Sequence, residues 1–159
     1  MMIRCLLVAF TILFCSGFTY GEDLSVVDGD TIKIKDGGKW TYCRLYGIDA
    51  PELSQDFGIV SKMFLEHMLK TSDIKVLDIG TDLYSRRVVK VYCMTSPTNG
   101  IEVNQFMVSQ GLAWWYVQYS PKNGGYKVAQ DIAKSKKIGV WSTDNPTPPW
   151  EYRKQRKKK

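Results

Sequence analysis

Residues 26–52, VVDGDTIKIKDGGKWTYCRLYGIDAPE, alternate between strand-like runs and turn residues, and this stretch decides the fold. The segment DGDT at residues 28–31 separates the β-branched Val26 and Val27 from an alternating run at residues 31–35, which predicts a tight strand-to-strand corner. The segment DGG at residues 36–38 predicts the next turn, and residues 40–46 predict a third strand. We therefore expect three successive strands, with the carboxylates of the first corner held on a rigid backbone.

The third predicted strand carries an arginine between two apolar residues. Side chains alternate between the two faces of a strand, so Arg44 points away from the face that takes Cys43 and Leu45. On that opposite face the guanidinium group of Arg44 can meet the carboxylate of Asp30.

A proline closes the stretch, in the segment DAPE at residues 49–52. Pro51 biases Ala50 toward an extended backbone and keeps the Ala50 carbonyl outside any strand ladder. Asp30, Asp49, this carbonyl and several waters would form an oxygen-only cage, which suits Ca²⁺ because this ion takes roughly 6–8 such ligands.

Glu52 follows Asp49 closely enough to act on a phosphate bound by the cation. We expect Glu52 to hold the attacking water as general base, Arg44 to neutralise developing charge on the phosphate, and Asp28 to support the metal ligands from behind. Taken singly, each acid is an ordinary turn residue and Arg44 an ordinary surface ion pair. Their combination favours phosphate chemistry.

The chain resembles the staphylococcal nuclease family over almost everything after residue 23. The matching segments are Asp28-Gly29-Asp30-Thr31, Arg44-Leu45, residues 47–52 (GIDAPE), Asp82, Tyr84-Ser85-Arg86, residues 110–113 (QGLA) and residues 139–142 (GVWS). The resemblance implies an α+β fold, a five-stranded Greek-key OB barrel with three helices. A fourth strand predicted at residues 73–79 and a fifth at residues 88–94, with one inserted helix and two later helices, agree with that architecture.

The resemblance also implies a second catalytic arginine, which falls on Arg86. This side chain would grip the phosphate opposite Arg44 with a planar fork of donors. The sequence departs from the family pattern at Ser85, where glycine is usual. A positive φ at that position would strain a serine and would leave the choice between Arg86 and Arg87 open.

Two tyrosines are candidates for contact with a nucleotide. Tyr84 lies next to the arginine and offers a ring on which a base can stack. Tyr119 falls where the family has a nucleotide-contacting tyrosine, while Val117 replaces a second one. The alternative for either tyrosine is a half-buried loop residue with no role in binding.

The implied reaction is Ca²⁺-dependent hydrolysis of phosphodiester bonds in DNA and RNA, with little sequence preference and with 3′-phosphorylated products. The alternative is a non-catalytic OB module that holds nucleic acid in the same groove. Such a module is free to lose Glu52, Arg44 or Arg86, and this chain has all three.

Residues 1–21 have the pattern of a secretory signal peptide: Arg4, an apolar run at residues 5–15, and the small residues Thr19 and Gly21 before the expected cleavage point. The alternative, an uncleaved anchor, is disfavoured because the apolar run is shorter than the roughly 20 residues that a spanning helix needs. We expect a secreted or periplasmic protein that is monomeric and not membrane-associated after cleavage.

The remaining chain divides into a nuclease domain at residues 22–144 and a Pro-rich connector with a basic tail at residues 145–159. Residues 22–150 carry 15 basic and 15 acidic side chains, whereas residues 151–159 carry six basic side chains and one acid. We expect the connector to be extended and the tail to be a solubilising terminus or a salt-dependent phosphate contact, with no site in it.

Helices are predicted at residues 56–70, 103–110 and 126–137. The first would be capped by Ser54 or Asp56 and would bury a stripe of apolar side chains. The side chains expected on that stripe are Val60, Met63, Phe64, His67 and Met68. On this basis His67, the single histidine, is a packed core residue and not a catalytic base.

An exported chain would keep two of its four cysteines, Cys43 and Cys93. An oxidising compartment permits a disulfide between them, and two buried free thiols are the alternative. The single histidine and the lack of Cys-x-x-Cys pairs argue against a zinc site.

Overall fold

The computed structural model describes residues 22–120, 122 and 124–157, and within them the chain forms eight strands and four α-helices. The strands are β1 (Leu24–Val26), β2 (Thr31–Asp36), β3 (Lys39–Leu45), β4 (Ile48–Asp49), β5 (Asp73–Thr81), β6 (Arg87–Met94), β7 (Gly100–Glu102) and β8 (Trp114–Trp115). The helices are α1 (Gly58–Lys70), α2 (Val103–Ser109), α3 (Gly124–Ser135) and α4 (Pro149–Arg156), with a short 3-10 helix at Gly139–Ser142.

The sheet that carries the site is mixed. Its strands follow the order β1-β2-β3-β6-β5, β7 pairs with β6, and β4 pairs with β8 in a separate ribbon. The pairs β1–β2 and β2–β3 are antiparallel, as their short turns require, and β3 pairs with β6 in parallel. The β2–β3 register sets Thr31 opposite Arg44, which brings the corner at residues 28–31 beside that arginine.

The core lies on one face of these strands. Alternate side chains of β2, β3 and β6 are buried, as shown by Ile32, Ile34, Cys43, Leu45, Val89 and Val91. Arg44, between the buried Cys43 and Leu45, points to the opposite face of the sheet, as the sequence predicted. The α+β, OB-like fold class is confirmed, and the five predicted strands correspond to β1, β2, β3, β5 and β6. The strands β4, β7 and β8, of two or three residues each, were missed because so short a run gives no periodicity.

The buried face of α1 differs from the predicted one. Gly58, Ser61, Leu65 and Leu69 are buried, while Val60, Met63 and His67 are exposed. The Ser61 hydroxyl donates a hydrogen bond to the Leu112 carbonyl at 2.8 Å, which allows a polar residue on the core face. The prediction of a core position for His67 was therefore wrong. The cap was also wrong, because the N-cap residue is Phe57, at φ 65°, with no side-chain hydrogen bond.

The C-terminal stretch departs most from expectation. Residues 149–156, predicted as connector and tail, form α4, which begins with Pro149 in the first turn, where its missing N–H costs nothing. Residues 1–21, predicted as a signal peptide, lie outside the described residues. In the part of the chain that is described, no helix has the length and apolar character needed to cross a bilayer.

Cys43 and Cys93 are buried free thiols. The parallel register pairs Cys43 with Arg87, and Cys93 lies six residues further along β6. At roughly 3.3 Å per residue this separates the two cysteines along the sheet by about 20 Å, far beyond the reach of a disulfide.

Candidate active site

The corner at residues 28–31 is fixed by short-range hydrogen bonds. The Asp30 N–H donates to Asp28 Oδ1 at 3.0 Å, and the Val27 N–H donates to the Thr31 carbonyl at 2.9 Å. Gly29 lies so close to its neighbours that an added Cβ would sit 2.7 Å from the Ala50 Cβ and 2.8 Å from the Ser61 Cβ. Only glycine lets the corner pack against the loop that carries Ala50.

Arg44 joins two buried carboxylates. Its Nη1 donates to Asp30 Oδ1, and its Nη2 donates to Asp49 Oδ1 at 2.6 Å and to the Ile48 carbonyl at 3.3 Å. The Arg44 side chain is 19% exposed, whereas those of Asp30 and Asp49 are 3% and 0% exposed. The arginine thus covers the two acids and separates them from solvent.

Asp49 and Ala50 come from β4 and its exit. The β4–β8 pairing sets Asp49 opposite Trp114, and Ala50 follows the last paired residue. The Ala50 N–H donates to Asp30 Oδ2 at 2.6 Å, so Ala50 also binds the acid of the corner through its backbone nitrogen. Asp30, Asp49 and Ala50 form one buried group, as the proposed cage requires.

Glu52 begins a compact loop that leads into α1. Its carbonyl accepts the Gln55 N–H at 2.8 Å, and the Gln55 carbonyl accepts the Gly58 N–H at 2.9 Å. A Cβ at position 58 would collide with the Glu52 carbonyl, so the loop depends on Gly58. The Glu52 carboxylate stays half-exposed, at 37%.

Arg86 is held by the loop that precedes β6. Asp82 Oδ2 accepts the Arg86 Nε–H at 2.8 Å, and Asp82 Oδ1 accepts the backbone N–H groups of Tyr84 and Arg86, each at 2.9 Å. Ser85 has φ 60°, so the residue that replaces the usual glycine does occupy the left-handed region. Arg87 points elsewhere and pairs with Asp78 at 2.8 Å.

These groups share one open cleft of about 440 Å³. Its lining includes the predicted residues Asp28, Arg44, Glu52, Tyr84, Arg86 and Tyr119. Tyr84 and Tyr119 are 79% and 52% exposed, and the Arg86 guanidinium lies 5.7 Å from the Tyr84 ring centroid. The cleft therefore combines cationic donors, carboxylates and accessible aromatic faces, while Asp30, Asp49 and Ala50 are buried beside it and do not line it.

Sequence reasoning missed an arginine of α4. Arg153 Nη1 donates to Glu52 Oε1 at 2.7 Å and to Asp49 Oδ1 at 3.2 Å, and its Nη2 donates to Asp49 Oδ2 at 2.8 Å. Lys157 and Tyr116 also line the cleft. The overlooked indication was aromatic: Trp150 and Tyr152 lie directly before the basic run that starts at Arg153, and two large aromatic residues so spaced are typical of a helix docked on a surface and not of a free tail.

The electrostatics of the group leave negative charge uncompensated. Burial raises the pKa of Asp30 to about 7; the Arg44 guanidinium opposes this rise, and the carboxylates of Asp28 and Asp49 add to it. When Glu52 is included, four carboxylates face two guanidinium groups, those of Arg44 and Arg153, since Arg86 is paired with Asp82. A divalent cation bound there would favour the ionised form of Asp30, and one such ion would then balance the difference.

The donors present fit a hard cation. Carboxylate and carbonyl oxygens are the ligands of Ca²⁺, and the exposed His67 and the buried thiols lie outside the group. Among the described residues no three acidic, histidine or cysteine side chains converge to hold a metal ion. The expected cage does not need three, because it uses Asp30, Asp49 and a backbone carbonyl. Both oxygens of Asp49 accept hydrogen bonds from arginine, so coordination there would replace one of these bonds.

The fold and cleft define a class of protein, a small OB-like domain with an open cleft lined by arginines, carboxylates and tyrosines. The family model described as staphylococcal nuclease homologue matches residues 42–143. A protein of Escherichia coli named uncharacterized endonuclease is 38% identical over 134 residues, which cover 84% of each chain. Micrococcal nuclease of Shigella flexneri is 30% identical over 142 residues, 86% of this chain and 82% of the relative. The chain belongs to the staphylococcal nuclease family.

Proposed function

We propose that the protein is a Ca²⁺-dependent nuclease that hydrolyses phosphodiester bonds of DNA and RNA without sequence preference and leaves 3′-phosphorylated products. Family membership and the relatives named endonuclease and micrococcal nuclease support nuclease activity. The observation that carries the finer proposal is the single cleft that joins Arg44, Arg86 and Glu52 in front of the buried Asp30 and Asp49.

In this proposal the arginines bind the scissile phosphate. Three N–H groups of Arg44 donate to protein oxygens, which leaves part of its five-donor fork for a phosphate. Arg86 is anchored through Nε, so its terminal nitrogens are available to the cleft. Two planar forks on one phosphate would stabilise the charge that develops on its oxygens.

Glu52 would take the proton of the attacking water. Its carboxylate is half-exposed at the cleft, where a water molecule can approach it. Asp30, Asp49 and the Ala50 carbonyl would hold Ca²⁺, with Asp28 behind them, and the cation would supply Lewis-acid polarisation of a phosphate oxygen. Tyr84 and Tyr119 would stack on bases, which favours single strands or frayed ends and gives no sequence preference.

A direct assay tests this proposal. Purified protein is incubated with single-stranded DNA, duplex DNA and RNA, in a calcium chelator and after Ca²⁺ is restored, and the phosphorylated end of the products is identified. We expect cleavage only with Ca²⁺ and 3′-phosphate ends. Undiminished cleavage in chelator would contradict the role of Asp30 and Asp49, and 5′-phosphate ends would contradict the proposed polarity.

The Glu52→Gln variant separates catalysis from binding. It keeps the shape of the side chain and removes the base, so the rate should fall by about 10²–10⁴-fold while nucleic-acid affinity is retained. Cleavage by the wild type excludes the alternative of a pure binding module, because such a module would bind nucleic acid without cutting it. Near-normal turnover would remove Glu52 from the mechanism.

We also propose that the protein is exported and works as a monomer. The support is the sequence pattern of residues 1–21, a basic start followed by a short apolar run and small residues. N-terminal sequencing of the protein recovered from an expressing bacterial culture should give a chain beginning at Glu22, and its mass in solution should be that of one copy. Recovery only of an uncleaved, membrane-bound chain would overturn the proposal.

A further inference from the structure

Helix α4 brings Arg153 to the acidic side of the cleft from the far end of the chain. Its guanidinium group bridges Glu52 and Asp49 with three hydrogen bonds, across sequence separations of 101 and 104 residues. The Arg153 side chain is 40% exposed, so its outer edge lines the cleft while its inner edge binds the acids. No local sequence pattern forces this contact; it exists because α4 docks there.

The docking of α4 is directed at the loop that begins with Glu52. The Tyr152 hydroxyl donates to the Ser54 carbonyl at 2.9 Å, and the Gln55 side chain donates to the Thr147 carbonyl at 2.5 Å, just before the helix. On the other flank the Trp150 ring stacks on Tyr116, with 5.3 Å between centroids and 10° between planes. These contacts hold the segment that leads into Arg153 and so limit where its guanidinium group can lie.

The bridge restrains a side chain that would otherwise be mobile. A half-exposed glutamate has three rotatable side-chain bonds, and fixing one carboxylate oxygen removes most of that freedom. Arg153 Nη1 is shared between Glu52 Oε1 and Asp49 Oδ1, so the position of Glu52 is tied to an acid that is wholly buried. The other oxygen, Oε2, carries no bond from Arg153.

We propose that Arg153 is a positioning residue of the nuclease reaction: it binds Oε1 of Glu52, ties it to Asp49, and leaves Oε2 to accept the proton of the attacking water. This inference rests on the proposed function of Glu52. Misplacement of a reacting group by about 1 Å costs on the order of 10²-fold in rate, so an effect on kcat is expected.

Arg156 supplies a matched control. It lies on the same helix, and its Nη1 donates to the Ser54 hydroxyl of the same loop at 3.1 Å, while it forms no ion pair with an acidic side chain of the described residues. Arg153→Gln and Arg156→Gln each remove one positive charge from α4. Any general loss of attraction for nucleic acid is therefore common to both variants and appears mainly in KM.

The experiment measures kcat and KM on single-stranded DNA with Ca²⁺, together with thermal unfolding of each variant. We expect Arg153→Gln to lower kcat by about 10–100-fold with KM within about threefold of that of Arg156→Gln. Arg156→Gln should keep kcat within about twofold of the wild type. Arg153→Lys keeps a single charged donor in place of the fork and should recover part of the lost kcat.

Two further measurements exclude a merely structural role. Guanidinium ion at about 50 mM, well below denaturing concentrations, should raise kcat of Arg153→Ala and leave Arg156→Ala and Glu52→Gln unchanged. In a double-mutant cycle, Arg153→Gln should add little to the loss already caused by Glu52→Gln, because both act through one carboxylate.

Equal kcat values for Arg153→Gln and Arg156→Gln would overturn the inference, as would full additivity with Glu52→Gln. That failure is distinguishable from failure of the proposed function. If the wild type cuts and Glu52→Gln does not, the proposed function stands and only the role of Arg153 is lost. If Glu52→Gln cuts normally, both fall together.

Discussion

Two arginines face the same cleft from different supports. Arg44 lies in β3, opposite Thr31 of β2, and its guanidinium group forms ion pairs with two buried acids. Arg86 follows a short loop, is 35% exposed, and is held by Asp82 four residues earlier. Arg44 is therefore part of the buried ion-pair network as well as a proposed catalytic group, whereas we expect that Arg86 can be replaced without loss of the fold.

Arg44→Gln gives the largest expected effect and tests the first half of the comparison. Loss of a phosphate-binding arginine should lower kcat by about 10³–10⁵-fold. The variant also leaves the buried Asp30 without its guanidinium partner, which should lower the free energy of unfolding by about 3 kcal/mol. Steady-state kinetics and urea denaturation measure the two changes. A variant as stable as the wild type would show that the Arg44 pairs do not hold the core.

Arg86→Gln tests the second half. We expect kcat to fall by about 10²–10³-fold, because one donor to the developing charge is lost. The free energy of unfolding should change by no more than about 0.5 kcal/mol, since the pair with Asp82 is partly exposed. Arg87→Gln is the control: it breaks an exposed pair with Asp78 and should leave kcat unchanged. Loss of activity in the Arg87 variant alone would reverse the assignment of these two residues.

Asp82→Asn tests whether the carboxylate of Asp82 holds Arg86 in place. Burial alone would raise the pKa of Asp82, but hydrogen bonds from the backbone and side chain of Arg86 and from the backbone of Tyr84 bring it below 3.8. A group with a depressed pKa stabilises the folded state above its unfolded pKa and loses that contribution as the pH falls through its folded value. The variant should therefore be less stable than the wild type at neutral pH, with a kcat about tenfold lower.

The pH dependence checks this explanation. The stability difference between Asp82→Asn and the wild type should start to shrink as the pH falls below 3.8 and should be lost once the pH has fallen through the depressed pKa of Asp82 in the folded wild type, where this carboxylate becomes protonated. Chemical denaturation at a series of pH values measures it. A difference that persists undiminished under acid conditions would mean that the amide fails for steric reasons and that the charge of Asp82 is not what holds Arg86.

The features of the fold that the sequence predicted correctly are those that depend on neighbouring residues. The corner at residues 28–31 and the alternation around Arg44 depend on turn chemistry and a period of two, so they follow from neighbouring residues. The face of α1 does not. Hydropathy favoured Val60 and Met63, but Ser61 is buried because its hydroxyl finds the Leu112 carbonyl and because Gly29 allows close approach.

The role of α4 was beyond local reasoning for the same physical cause. A short basic helix has little stability of its own, and α4 is stabilised by contacts with residues about a hundred positions earlier in the chain. Charge composition therefore predicted a tail where the structure has a docked helix. The part of the site contributed by Arg153 becomes visible only when the whole chain is folded.

Ser85→Gly is the smallest expected effect and isolates the turn that presents Arg86. A serine at φ 60° is strained, and glycine at this position would relieve that strain and stabilise the protein by about 0.5–1 kcal/mol. The Ser85 backbone N–H donates to the Asp82 carbonyl at 3.0 Å, and glycine keeps this bond, so kcat should stay within about twofold of the wild type. Ser85→Ala is the matched control, because it removes the hydroxyl and keeps the strain. If alanine stabilises the protein as much as glycine does, the positive φ at Ser85 does not cost free energy. The turn at residues 82–86 would then not be the strained element that positions Arg86.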